Sequence, residues 1–123
     1  MSKILIVDDD AKTRKLLRVV LQNFGYEIIE AENGKQGIKL AKENIPDLIL
    51  MDIEMPVMDG MSAFKVIRAD ESTKNIPVIA LTSYAMKGDK EKFLAEGFDN
   101  YISKPIDVKE FLKIVKKHIK DSE

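Results

Sequence analysis

Cysteine is absent, histidine occurs once, and neither sign of charge prevails. Without thiols the chain has no disulfide framework, no thiolate nucleophile and no cysteine-based zinc site. Its 20 Lys and Arg nearly balance 21 Asp and Glu, for a formal net charge of −1. That balance gives no general attraction to nucleic acid or to an anionic membrane. Long apolar runs are missing too. The first, Ile4-Leu5-Ile6-Val7, stops at three aspartates and is too short for a signal-peptide core. No other run approaches the roughly 20 residues of a membrane span. A cytoplasmic protein is the expectation.

What remains is ordinary for a globular protein, with 45% hydrophobic and 33% charged residues. The length fits one domain, residues 1–123. Such a domain buries roughly two-thirds of its unfolded surface.

Two kinds of segment alternate. Ile4-Leu5-Ile6-Val7, Ile28-Ile29, Leu48-Ile49-Leu50-Met51 and Val78-Ile79-Ala80-Leu81 are short apolar runs, with Tyr101-Ile102 a weaker fifth. Runs of this length suit strands buried on both faces, as in a parallel sheet. Between them, Leu17, Val20, Leu21 and Phe24 follow helical spacing, centred on one sheet-facing stripe, and Gly25 sits where a C-terminal cap belongs. Val108, Phe111, Leu112, Val115 and Ile119 repeat the pattern near the end. Weaker helical patterns cover about residues 35–44, 61–71 and 87–96. Asn33-Gly34, Ile45-Pro46-Asp47, Asp59-Gly60 and Ile76-Pro77 punctuate the elements. The alternation predicts a doubly wound α/β domain.

In open parallel sheets, ligands bind beyond the carboxyl ends of strands, where the strand order reverses. Here the first run ends in Asp8-Asp9-Asp10, the third in Asp52-Ile53-Glu54, the fourth in Thr82-Ser83 and the fifth in Ser103-Lys104-Pro105. Two unit charges about 4 Å apart repel by about 4 kcal/mol at an effective dielectric near 20. Carboxylates crowded on one rim therefore call for a cation, and oxygen-only ligands select a hard ion such as Mg²⁺. Lys104 adds a point charge to the same rim. Simpler roles cover part of the set. Asp10 before Ala11-Lys12-Thr13 fits a helix N-cap, and Asp59-Gly60 fits a turn and helix start.

Four stretches, Ile4 to Asp10, Asp47 to Gly60, Pro77 to Thr82 and Tyr101 to Pro105, resemble the signatures of CheY-like receiver domains of response regulators. The resemblance covers essentially the whole chain. It implies a five-stranded parallel sheet in the order 2-1-3-4-5 with helices on both faces. It also implies a two-component or phosphorelay protein that takes a phosphoryl group from a sensor histidine kinase or histidine phosphotransfer protein. Asp52 resembles the phosphoacceptor. Asp8 and Asp9 resemble the acidic Mg²⁺ pair, completed by Asp52 and the backbone carbonyl of Glu54. Thr82 resembles the switch hydroxyl, Lys104 the phosphoryl-binding lysine and Tyr101 the rotating aromatic. The bond between Lys104 and Pro105 is expected to be cis. Glu54 and Tyr84 correspond to positions that flank the route of attacking water. Such a protein catalyses its own phosphorylation and dephosphorylation but is not a turnover enzyme. Its output is expected from a surface read by an unidentified partner protein, without direct binding to nucleic acid or membrane. A receiver module of a larger regulator is the alternative. The stretch from Ala80 to Asp89 is somewhat closer to cell-cycle single-domain regulators than to chemotaxis ones.

Other chemistries meet specific obstacles. A flavodoxin-like cofactor domain needs an anion-binding loop after its first strand, where three aspartates would repel phosphate. A haloacid-dehalogenase phosphatase also pairs an Asp nucleophile with Mg²⁺, but its second acid is shorter than Glu54 and its cap domain does not fit this length. A histidine phosphotransfer protein needs an exposed histidine on a helical bundle, whereas His118 lies in a basic last turn that complements a helix dipole.

The first helical segment carries more apolar residues than its stripe needs. At about 100° per residue, Leu16 lies roughly 90° from the stripe's centre and Val19 about 150°. Leu16 is one turn beyond the acid cluster, and receiver domains generally dock their kinases through this helix. Leu16 and the edge of Val20 are therefore the expected kinase-docking residues.

Overall fold

The computed structural model describes residues 2–56, 58–83 and 88–119. Ten elements alternate among the described residues: β1 (Lys3–Val7), α1 (Ala11–Gln22), β2 (Glu27–Ala31), α2 (Gly34–Asn44), β3 (Leu48–Asp52), α3 (Gly60–Ala69), β4 (Val78–Thr82), α4 (Asp89–Glu96), β5 (Asn100–Ser103) and α5 (Val108–His118). The strands pair in parallel in the order β2-β1-β3-β4-β5, as the family resemblance implies. Register places Val7 beside Ala31 and Met51, Asp52 beside Leu81, and Thr82 beside Ser103. All five carboxyl ends thus finish along one edge.

Strand alternation divides the core in two. Leu5, Val7, Ile49, Met51, Val78 and Ala80 face Ala41, Ala63, Phe64, Ile67 and Phe93 from α2, α3 and α4. Ile4, Ile6, Leu48, Leu50, Ile79 and Leu81 face Leu17 and Leu21 of α1 with Phe111 and Val115 of α5. Every residue of β3 and β4 is buried, which explains why those strands read as unbroken apolar runs. Each fully buried Leu, Ile or Val contributes about 1.5–3 kcal/mol. Asp10, Asn33, Asp59 and Asp107 cap α1, α2, α3 and α5, their side chains accepting from the N–H of Lys12, Gln36, Ser62 and Glu110.

Two apolar residues depart from the predicted stripes. Phe24 is 51% exposed, its ring covered by the Lys116 ammonium 4.8 Å from the centroid. Helix α1 ends at Gln22, and Gly25 turns the chain at φ +88°, so the 100° projection no longer carries Phe24 onto the sheet. Tyr26 occupies the buried place instead. Val108, at the first position of α5, is exposed because the buried stripe begins one turn later, at Phe111.

Gly60 fixes how closely α3 approaches the end of β3. Its N–H donates to the Ile53 carbonyl at 3.0 Å, and a Cβ there would collide with the Asp52 backbone oxygen. Backbone blocks that space, and no flexible side chain can yield. Gly60→Ala is expected to cost about 1–3 kcal/mol or more by displacing the Asp52 peptide. A denaturant midpoint unchanged from wild type would refute this.

Candidate functional site

The strand ends bring their polar residues together. Asp8, one residue past β1, is fully buried, and Asp52, the last residue of β3, is 1% exposed. Exposed Asp9 joins them: one carboxylate oxygen from each of the three lies within 4.8 Å of the others. Lys104, just past β5, extends its ammonium to 3.0 Å from Asp8 Oδ2 and 3.4 Å from Asp52 Oδ1. The Lys104–Pro105 bond is cis, and the Lys104 N–H donates to the Thr82 carbonyl at 2.8 Å, which ties the lysine's backbone to the end of β4. Asp10 stands apart as the cap of α1, its carboxyl held below the usual range by the Thr13 hydroxyl and the Lys12 N–H.

Electrostatics mark Asp52. Burial, and then the negative charge of Asp8, push its carboxyl up to about 7, with Lys104 and the Glu54 N–H offsetting only part of the effect. Burial alone would lower the Lys104 ammonium, but Asp8 and Asp52 overcome this and leave it above its usual value. Asp8 Oδ1 accepts from the Asp10 N–H at 2.8 Å, whereas buried Oδ2 receives no aligned hydrogen bond although Lys104 is in ion-pair contact. An all-oxygen donor set, an under-satisfied buried oxygen and one lysine against three carboxylates fit a hard divalent cation such as Mg²⁺.

Glu54 enters the site by an unexpected route. Its Oε2 accepts from the Thr82 hydroxyl at 2.5 Å and its Oε1 from the Ser83 N–H at 2.9 Å. Sequence reading singled out its backbone carbonyl and a place beside water, not a cap on β4. No periodicity signals such a contact. Tyr101 is half-buried, its ring 5.9 Å from Phe93, and its strand partner is Ala80, two residues before Thr82. It also lines a groove of about 320 Å³ with Ile102, Ser103, Pro105, Asp107, Glu110 and Ile114. Tyr84 lies outside the described residues. Leu16 is 43% exposed on α1, and Val20 is half-buried against the second core cluster, so only its edge faces outward.

A second set of residues also escaped the sequence reading. Arg14 and Arg18, one turn apart on α1, both bond Glu30 of β2, and Arg14 also reaches the Asp8 carbonyl. An acid directly after the short Ile28-Ile29 run, still within β2, was the available signal.

Residues 4–116 match the family model of the response regulator receiver domain. The polar-differentiation response regulator DivK of Brucella anthropi is 42% identical over 119 residues, spanning 97% of this chain and 97% of that protein. Among solved structures, the Vibrio cholerae chemotaxis protein CheY4 aligns with a TM-score of 0.89 at 30% identity, covering 97% of this chain and 99% of that one. The receiver domain of a Pseudomonas aeruginosa sensor histidine kinase, solved with a magnesium ion coordinated in the active-site cleft, aligns with a TM-score of 0.85 at 35% identity, covering 94% and 95%. Among the described residues no helix is long and apolar enough to cross a membrane. The strand order, the acids at the β1 and β3 ends and these similarities converge on one assignment: the chain belongs to the response-regulator receiver-domain family of signalling proteins.

Proposed function

We propose that Asp52 is the phosphoacceptor of a cytoplasmic receiver unit spanning residues 1–123, charged by a histidine kinase or histidine phosphotransfer protein. A carboxylate oxygen of Asp52 attacks phosphorus, the bond from phosphorus to the donor's imidazole nitrogen breaks, and that nitrogen keeps the electron pair. Lys104 offsets charge on the transferring oxygens, and its contact with Asp52 already points it at the acceptor. Asp8, Asp9, Asp52 and the backbone carbonyl of Glu54 would hold Mg²⁺, which would supply the remaining charge compensation at the phosphoryl oxygens. Thr82 then takes a phosphoryl oxygen, and Tyr101 turns with it to alter the face that an output protein reads.

The observation that carries this reading is a buried carboxylate at a strand end, facing two further acids and one lysine. Incubation with acetyl phosphate and Mg²⁺ is expected to add one phosphoryl mass to the wild type. Labelling should vanish in Asp52→Asn and in excess chelator. A full-strength adduct under either condition would overturn the assignment.

The kinase is proposed to dock on Leu16 and the outer edge of Val20, because Leu16 is an exposed apolar residue one turn past the acid cluster. Leu16→Asp should leave labelling by acetyl phosphate intact and lower transfer from the cognate kinase at least about tenfold, the order expected when one apolar contact becomes a buried charge. Equal losses in both assays would make the residue structural. No loss in either would place docking elsewhere.

A further inference from the structure

The acid cluster is braced from the β2 edge of the sheet, opposite the β5 end that supplies Lys104. Arg14 of α1 is largely buried, its side chain 15% exposed. Its guanidinium makes two bonds at once, Nη1 donating to the Asp8 carbonyl at 2.7 Å and Nε to Glu30 Oε1 at 3.1 Å. The other Glu30 oxygen accepts from Arg18 at 2.6 Å, so the β2 carboxylate is fixed from two points one helical turn apart. On its other side, the Asp8 N–H donates to the Ala31 carbonyl at 3.1 Å. Both peptide units flanking the Asp8 Cα are thereby tied to β2, one directly and one through Arg14.

We infer that Arg14 is a positioning residue for this site: through the Asp8 carbonyl it fixes the turn from which the Asp8 and Asp9 carboxylates converge on Asp52, and so sets the affinity for Mg²⁺. This rests on the reading of Asp8 and Asp9 as cation ligands. The turn needs such a brace because three carboxylates repel one another and would otherwise swing apart toward solvent. A guanidinium suits the task, since its planar fork bonds two acceptors in fixed geometry, which a lysine ammonium does not. The charge of Arg14 is no help to a cation. Coulomb repulsion alone predicts that removing it tightens Mg²⁺ binding, whereas loss of positioning predicts the opposite. The sign of the change separates the two.

The experiment is a Mg²⁺ titration followed by amide NMR shifts of residues 8–10 and 52–54, with no phosphodonor present. Arg14→Gln and Arg14→Lys are both expected to weaken Mg²⁺ binding about tenfold or more, the usual effect of losing a group that orients a ligand. Arg18→Gln makes the same charge change as Arg14→Gln without touching Asp8, and should shift affinity by less than about twofold. Sheet amides in the same spectra report whether each variant is folded; if Arg14→Gln is not, Arg14→Lys carries the test. Unchanged or tighter binding in the Arg14 variants would overturn the inference while leaving the cation site standing. Failure of the wild type to bind Mg²⁺ would overturn both.

Discussion

In the presence of chelator, the protein is expected to lose stability as pH rises from about 5 to about 8, against the usual trend for a domain with salt-bridged acids. The cause is Asp52, whose carboxyl is raised from 3.8 to about 7 by burial and by Asp8. Below 3.8 both folded and unfolded chains hold the proton and the group contributes nothing. Between 3.8 and about 7 the unfolded chain ionises while the folded one keeps its proton, so stability falls as pH rises. Above about 7 both are ionised and the penalty is complete. Each pKa unit is worth about 1.4 kcal/mol, so the roughly two units between pH 5 and the folded value make the loss across this window about 3 kcal/mol. For a domain of this size it corresponds to roughly 10 °C in Tm. Asp10 and Asp70, whose pKa values are lowered, add stability that is lost only as pH falls below the ordinary Asp value, outside this window. The raised Lys104 sheds its proton only at alkaline pH, again outside it. Calorimetry in chelator should therefore show the fall in wild type and its absence in Asp52→Asn, which should be the more stable of the two at pH 8. Saturating Mg²⁺ should restore the wild type at pH 8, because a ligand bound only by the folded state adds stability by mass action. A wild-type Tm that rises from pH 5 to 8 in chelator would contradict this account of the site.

The second large effect concerns the end of β4. Glu54 accepts from both the Thr82 hydroxyl and the Ser83 N–H, two donors that a phosphoryl group on Asp52 would also attract. If Asp52 is phosphorylated as proposed, the phosphoryl group would have to displace the Glu54 carboxylate before Thr82 could turn. Shifting a two-state equilibrium from 1:99 to 99:1 takes about 5.5 kcal/mol of differential binding. A hydrogen bond to a charged group supplies about 1.5–3 kcal/mol of it, or a factor of roughly 10–100. Thr82→Ala should accept phosphate yet lose most of the Tyr101 response, read by NMR shifts of the Tyr101 ring with and without phosphodonor. Glu54→Ala should move the same signals part of the way in the unphosphorylated protein. Full Tyr101 shifts in phosphorylated Thr82→Ala would dissociate the two residues.

Legibility in the sequence followed the physics of each feature. Strands β3 and β4 were readable because burial on both faces demands unbroken apolar runs, and Leu17, Leu21, Phe111 and Val115 because helical period is local. The acids, Thr82 and Lys104 were readable as a group because parallel strands bring their carboxyl ends to one edge. Phe24 misled because its helix stops two residues earlier, a boundary set by the Gly25 turn and not by hydrophobic pattern. The Glu54 cap and the Arg14–Glu30 brace join residues 28 and 16 apart in the chain through side-chain geometry alone. No spacing rule carries that information.

The most direct test of the central claim traps the acyl phosphate itself. Protein labelled by acetyl phosphate with Mg²⁺ is reduced with borohydride, which converts a phosphorylated aspartate to homoserine, and the digest is sequenced by mass spectrometry. Homoserine is predicted at position 52 and at no other aspartate. Homoserine at Asp8, Asp9 or Asp10, or phosphate surviving reduction on Thr82 or Ser83, would contradict the assignment of Asp52 as the acceptor.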